Sequence, residues 1–194
     1  MLVLFNWFKT LFLSIAHFAK SSQYSQLQTV SNVGLGQSTY KHDYLVESQD
    51  IGLSIAYYPK LISYLEMDHQ HLINLYTDIN AALELKEYSV VGDCLAQFKE
   101  DFKSHLEDEN IKFYGFLEQS LKHKNEEFVS LRRFRKEMRT IERNVIKFLD
   151  YWMDIGVTAE SYQEFKTQYD AIGHALVKRI ESEENGMYKM YSHA

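Results

Sequence analysis

From residue 60 onward, apolar side chains recur at alternating spacings of three and four residues, and this pattern runs through four long stretches. The stretches cover about residues 60–85, 89–122, 126–154 and 162–191, with short polar breaks between them. Such spacing places apolar side chains on one face of an α-helix. Four helices joined by short loops pack most simply as an up-down-up-down four-helix bundle, so we predict an all-α fold.

The composition narrows the class of protein. A chain of 194 residues with 45% hydrophobic and 25% charged residues is typical of one soluble globular domain. A net charge of -6 argues against nucleic acid as a partner, because binding to phosphates calls for a basic excess. The single cysteine, Cys94, forms no internal disulfide, and this favours the reducing cytoplasm.

The N-terminal third differs from the rest of the chain. Residues 1–19 are strongly hydrophobic, but Lys9 interrupts them where a secretory signal would be uninterrupted. They fit an amphipathic helix that contacts a membrane or a partner protein, and such a helix could attach the protein to a membrane. The alternative is that the native start lies further along the chain. Residues 20–57 are rich in Ser, Gln and Gly and are predicted to be a linker, which leaves residues 58–194 as the bundle.

Ionisable residues interrupt three of the four apolar stripes. The third stripe is unbroken and consists of Leu131, Phe134, Met138, Ile141, Val145, Phe148 and Trp152. The second stripe consists of Leu95, Phe98, Phe102, His105, Glu109, Lys112 and Phe116. His69 interrupts the first stripe, and the fourth ends on Arg179 and Glu183.

Such residues point to a buried polar site. An isolated buried charge costs several kcal/mol unless it is paired or coordinated. His105 and Glu109 are four residues apart and share a helix face, so with His69 they could hold a metal ion in the bundle core. Two other interpretations stay open. His69 could be a hydrogen-bonded core histidine, and Arg179 with Glu183 could form a metal-free ion-pair network.

The lines LEMDHQHLINLY, SHLEDENIKFYGFL and KRIESEENGMYKMY resemble the hemerythrin-like HHE cation-binding family. The resemblance implies a four-helix bundle around a non-haem di-iron centre and a role in sensing or binding oxygen, nitric oxide or iron. Carried onto this chain, it makes His69 the first-helix ligand, His105 and Glu109 the second-helix pair, and Glu183 a fourth-helix ligand. His71 is a poorer candidate than His69 because it falls off the apolar stripe.

The second half departs from the family pattern. Thr140 in MRTIERNV stands where the third helix should supply a histidine, and Arg179 replaces the fourth-helix histidine. A guanidinium does not ligate metals, and its charge repels a second cation. We therefore expect a reduced site for one iron or another divalent cation. The alternative is a metal-free core in which Arg179 neutralises Glu109 and Glu183.

A second resemblance concerns the last helix. AIGHALVKRIESEE is similar to the regulator-of-sigma-D family, bacterial helical proteins that sequester the housekeeping sigma factor. This implies a metal-free regulatory protein that acts through its surface. An enzyme is not expected, because no nucleophile with an adjacent base and no phosphate-binding loop is present.

The third helix carries a basic run that suits an acidic protein partner such as a sigma factor. The run RRFRKEMRTIER places cations around the exposed side of this helix, namely Arg132, Arg135, Lys136, Arg139 and Arg143. Docking through them would be sensitive to salt. The alternative is a solvated face balanced by Glu137 and Glu142.

Overall fold

The computed structural model of the protein describes residues 54–191. The predictions for residues 1–19 and for nearly all of residues 20–57 lie outside this range. The proposed domain boundaries therefore stay predictions.

The described chain forms four long helical rods. The first is α1 (Leu61–Glu84) and the third is α4 (Asn125–Ile155). The second runs without a break through α2 (Tyr88–Asp108), a π-helical segment π1 (Glu109–Tyr114) and α3 (Gly115–Ser120). The fourth runs through α5 (Tyr162–Ser182), π2 (Glu183–Met187) and α6 (Tyr188–Tyr191). No strand occurs in residues 54–191, and the predicted all-α helical bundle is confirmed.

Short connections at residues 85–87, 121–124 and 156–161 join consecutive rods. Gly156 ends α4 with a φ of 73°, a left-handed conformation that glycine adopts without strain. In the described part of the chain, none of the helices is both long enough and apolar enough to cross a membrane.

Buried apolar side chains form two clusters along the bundle. One cluster includes Leu72, Phe102, Phe148, Trp152, Phe165 and Tyr169. The other includes Leu65, Phe113, Tyr114, Leu117, Tyr188 and Tyr191. On α1, His69 lies between Leu65 of one cluster and Leu72 of the other. The ionisable residues therefore form a polar layer between two apolar ones.

A tyrosine pair ties α1 to α5 below this layer. Tyr76 donates a hydrogen bond to the carbonyl oxygen of Tyr169 at 3.0 Å, and the Tyr169 hydroxyl donates back to the carbonyl of Tyr76. The two rings stack with centroids 4.1 Å apart. Gly173 makes this approach possible, because a Cβ there would collide with the Tyr76 hydroxyl. This contact holds the helix that carries His69 against the helix that leads to Glu183.

Each π segment begins at a buried glutamate, Glu109 in π1 and Glu183 in π2. A π turn contains one more residue than an α turn, so it shifts the inward face along the sequence. The prediction that Lys112 lies on the inward stripe is wrong for this reason. Its side chain is 38% exposed and pairs with Asp108 at 3.0 Å, while Phe113 and Tyr114 point inward instead. Short π segments are frequent at functional sites.

Candidate metal centre

The five ionisable residues on the inward stripes are brought together in the core. Their exposed fractions are 2% for His69, 3% for His105, 0% for Glu109, 3% for Arg179 and 0% for Glu183. Within residues 54–191 these are the buried charged or imidazole side chains. The predicted site residues therefore come from three of the four rods and meet in one layer.

His71 points away from this layer, as its position off the apolar stripe predicted. Its side chain is 57% exposed, and its Nε2 lies 2.9 Å from a carboxylate oxygen of Asp101 on α2. Of the two histidines in the DHQH stretch, only His69 reaches the core.

Arg179 lies between the two buried glutamates. Its Nη2 donates a hydrogen bond to Oε2 of Glu109, and its Nε lies 2.8 Å from Oε1 of Glu183. The second contact is an ion pair without hydrogen-bond alignment, because neither oxygen of Glu183 accepts a hydrogen bond. Burial lowers the pKa of Arg179, but the negative charges of Glu183 and Glu109 outweigh it, so the net shift is upward. The guanidinium therefore remains charged.

The other oxygen of each carboxylate faces a second pair of side chains. Oε1 of Glu109 accepts a hydrogen bond from the Tyr188 hydroxyl at 3.3 Å, and Oε2 of Glu183 lies 3.4 Å from Nε2 of His69. The Tyr188 hydroxyl is also 3.3 Å from that nitrogen. The two glutamates thus stand between Arg179 on one side and the pair of His69 and Tyr188 on the other.

The two buried histidines have opposite protonation tendencies. Burial disfavours a charge on His69, but the nearby carboxylates of Glu183 and Glu184 and the charge of Glu109 raise its pKa to about 9. Nδ1 of His69 lies 2.9 Å from Glu184. For His105, burial dominates and lowers the pKa, although the carboxylate of Asp68, 3.6 Å away, opposes this shift. In the metal-free protein His69 is a cation at neutral pH, while His105 is neutral.

Burial also raises the pKa of the Glu109 carboxyl, and the charge of Glu183 acts in the same direction, while Arg179 opposes both. The two carboxylates thus repel each other, and a cation must stand between them if both are to stay ionised. Arg179 supplies one such cation.

Several polar atoms of the layer have no hydrogen-bond partner although they are buried. They are both ring nitrogens of His105, both carboxylate oxygens of Glu183 and the hydroxyl of Tyr114. Leaving a polar atom buried and unpaired costs about 1–3 kcal/mol. An imidazole and a carboxylate whose polar atoms accept no hydrogen bond are the donor types that a transition metal takes.

A helical bundle with imidazole and carboxylate groups converging in its core has the architecture of a cation-binding domain. The chain matches the family model described as the hemerythrin HHE cation binding domain over residues 60–191, and it belongs to that family. No curated protein and no solved structure matches it. The predicted hemerythrin-like family is confirmed, whereas the similarity of the last helix to sigma-D regulators stays a prediction.

The residues present fit one cation better than two. Oε2 of Glu183, Oε1 of Glu109 and the ring of His105 lie on the side of His69, and the two histidine rings have their centroids 4.7 Å apart. On the other side, Arg179 already engages both carboxylates. In the part of the chain that the structure describes, no three His, Cys, Asp or Glu side chains are arranged so that they alone could hold a metal ion.

The third long helix supplies no ligand. Thr140, which the sequence suggested for the histidine position, is exposed and donates its hydroxyl to the carbonyl of Lys136 at 3.2 Å. Met138 is the buried residue at this level of α4. The inward stripe of α4 is apolar, as predicted. Thr140, in contrast, does not lie on the inward side of the helix, so it does not stand at a ligand position.

Four of the five cations that were predicted on the exposed side of α4 are exposed, namely Arg132, Lys136, Arg139 and Arg143. Arg135 does not belong to the exposed face, and its side chain is 18% exposed. It packs over the Tyr114 ring at 5.4 Å and pairs with Glu118 at 2.8 Å, because its position flanks the apolar stripe. The prediction that Arg135 lies on the exposed side of α4 is wrong.

Tyr188 and Glu184 are the site residues that sequence reasoning missed. Both follow Glu183, and their partner His69 is more than a hundred positions away in the chain. One signal was available. A tyrosine follows each buried glutamate by five residues, Tyr114 after Glu109 and Tyr188 after Glu183.

Proposed function

We propose that this domain binds a single metal cation, with iron as the physiological ion, in the buried polar layer. His69, His105, Glu109 and Glu183 are its ligands, and Arg179 takes the place of a second ion. The observation that carries this proposal is the division of the two carboxylates, each of which directs one oxygen to Arg179 and the other to the side of His69.

This division supports a one-cation site on electrostatic grounds. Two ionised glutamates and one guanidinium leave a net charge of about -1 in a water-excluded layer. In the metal-free protein a proton on His69 supplies the missing positive charge. A metal cation on the same side would replace that proton, because a ligating imidazole must be neutral. Metal and proton therefore compete for His69.

Each side chain has a separate task in this proposal. His105, which burial keeps neutral, offers a nitrogen without prior loss of a proton. Arg179 holds the two carboxylates in register and excludes a second cation by charge. When bound, iron would supply the capacity to bind a small gas or change oxidation state. We propose that the domain senses or binds oxygen, nitric oxide or iron itself.

Metal content is the first test. The full-length chain is loaded anaerobically with Fe(II), desalted and analysed by mass spectrometry for metal per chain. We expect about one iron in the wild-type chain, none in His69→Ala and one in His71→Ala. The last variant is a matched control, because it removes an exposed histidine from the same helix. Two ions per chain, or equal loading of both variants, would contradict a one-cation site at His69.

The gas-sensing part has a separate test. Nitric oxide added to the anaerobic iron-loaded protein should change its electron paramagnetic resonance spectrum, with His71→Ala behaving like wild type. An unchanged spectrum in a protein that retains its iron would refute gas binding and leave iron binding itself intact.

A second candidate function is that of a metal-free regulatory protein that docks on an acidic partner, such as a sigma factor. Two observations favour it. Arg179 already pairs with both glutamates, and four of the cations predicted to bind a partner are exposed on α4 of this acidic chain, namely Arg132, Lys136, Arg139 and Arg143. The free thiol of Cys94 is consistent with the cytoplasm that this function requires.

This candidate predicts salt-sensitive binding of the chelated protein to the housekeeping sigma factor. Charge reversal at Arg132 and Arg139 should weaken binding at least tenfold. Reversal at Lys103, an exposed lysine of α2, should leave it unchanged. If the two variants behave alike, the basic face of α4 is not the docking surface.

A further inference from the structure

The hydroxyl of Tyr188 lies among the candidate metal ligands. It is 3.3 Å from Nε2 of His69 and 3.3 Å from Oε1 of Glu109, in a side chain that is 3% exposed. We propose that Tyr188 is itself a ligand of the bound cation, through its phenolate oxygen. The inference rests on the proposed one-cation site and extends its ligand set.

Donor spacing supports this assignment. Two donors that each lie about 2.1 Å from one metal, at tetrahedral to octahedral angles, are about 3.0–3.4 Å apart. The Tyr188 oxygen stands at this spacing from both His69 and Glu109, and His69 stands 3.4 Å from Oε2 of Glu183. His, Cys, Asp and Glu side chains alone do not form a metal-holding group in residues 54–191. Tyr188 supplies a further oxygen donor beside His69 and Glu109.

The ring is also fixed in this position. Tyr188 stacks on His69 with centroids 5.7 Å apart and planes 10° apart, and Phe113 meets it edge-on at 5.1 Å. A side chain held by packing keeps its oxygen in place without a further loss of entropy on binding.

Charge balance points the same way. With Glu109 and Glu183 ionised and Arg179 protonated, the layer carries about -1, so a divalent ion would leave about +1 in a dry core. A phenolate lowers the sum to about -2, which a divalent ion neutralises. On binding, the O–H bond of Tyr188 breaks, a metal–oxygen bond forms and the proton leaves to solvent. No electron is transferred.

Tyr114 is the internal control for this inference. It follows Glu109 by five residues, as Tyr188 follows Glu183, and it is equally buried. Its hydroxyl, however, has no hydrogen-bond partner and packs beneath Arg135. The two tyrosines are related in sequence position, but only Tyr188 touches the candidate ligands.

The test uses the full-length chain loaded with Fe(III) supplied as its nitrilotriacetate complex, so that no oxidant is needed. A phenolate on Fe(III) produces a charge-transfer band in the visible spectrum. We expect this band in the wild type and in Tyr114→Phe. Tyr188→Phe should lose the band and bind iron at least tenfold more weakly. Far-UV circular dichroism establishes that each variant is folded.

Iron bound by the wild type without the band would overturn the role of Tyr188 and leave the one-cation site standing. A band that survives in Tyr188→Phe, or that is lost in Tyr114→Phe, would also overturn it. A folded wild-type chain that takes up no iron would refute the site and the ligand together. If Tyr188→Phe does not fold, resonance Raman spectra of the iron-loaded wild type are recorded with ordinary and with ring-deuterated tyrosine. Ligation by a phenolate requires that the enhanced ring vibrations shift on deuteration, and bands that do not shift would overturn the role of Tyr188.

Discussion

Replacing Arg179 by glutamine in the metal-free protein should be strongly destabilising. The change removes the buried guanidinium that contacts Oε2 of Glu109 and lies 2.8 Å from Oε1 of Glu183. Removing one partner of a buried ion pair typically costs about 3–5 kcal/mol, because the remaining charge stays buried without compensation.

The structure indicates which carboxylate is stranded. Glu183 keeps the protonated imidazole of His69 at 3.4 Å, so its charge remains partly balanced. Glu109 keeps only the neutral hydroxyl of Tyr188 at 3.3 Å, and it is fully buried. We therefore expect the cost of one uncompensated carboxylate, about 3–5 kcal/mol, and not of two.

Urea unfolding of the chelated full-length protein measures this cost. With a denaturant slope of about 2 kcal/mol/M, the midpoint should fall by about 1.5–2.5 M. Arg139→Gln makes the same chemical change at an exposed position of α4 and should move the midpoint by less than about 0.3 M. The deficit of Arg179→Gln should shrink at acidic pH, because a proton on Glu109 replaces the lost charge.

A double variant provides the decisive comparison. Glu109→Gln in the background of Arg179→Gln removes the stranded charge and should recover at least half of the lost free energy. A loss below about 1 kcal/mol for the single variant, or no recovery in the double variant, would refute the assignment of Arg179 as the internal counter-ion.

Three further predictions follow from the same contacts. The folded-state pKa of His69 is about 9, above its ordinary value of 6.5. Protonated His69 therefore contributes about 3 kcal/mol to the stability of the metal-free protein, fully below pH 6.5 and progressively less as pH rises through 9. His69→Gln should flatten this part of the profile of stability against pH. Titration with Fe(II) at pH 7.5 in weak buffer should release at least one proton per ion, and a pH electrode would show whether it does. Gly173→Ala should cost about 1–3 kcal/mol by pushing against Tyr76, whereas Gly92→Ala, where a methyl group meets open space, should be neutral or stabilising in thermal unfolding.

The helices and the inward residues could be predicted from the sequence because both depend on local periodicity. Apolar spacing of three and four residues identifies the rods, and the same phase places His69, His105 and Arg179 inward. Every predicted stripe position of α4 is buried or half-buried in the structure. Ionisable groups on such a stripe imply a polar site, since their burial is otherwise too costly.

The α-helical periodicity could not predict which residues face inward in and beyond the π segments. An α-helical period predicts Lys112 inward and misses the register shift that brings Phe113 and Tyr114 into the core. Choosing between α and π turns depends on which side chains fit against the neighbouring rods, and that information is not local. The same holds for Arg135, whose burial depends on the Tyr114 ring and on Glu118 from another rod.

The partners of each donor atom depend on contacts between residues far apart in the chain. Arg179 and Glu109 are 70 positions apart, and Tyr188 and His69 are 119 apart. Sequence alone leads to a buried layer of histidine, glutamate and arginine in a helical bundle. The packing of four rods then assigns one oxygen of each glutamate to Arg179 and the other to the side of His69 and Tyr188, because a carboxylate's two oxygens are equivalent until neighbours from other helices surround them.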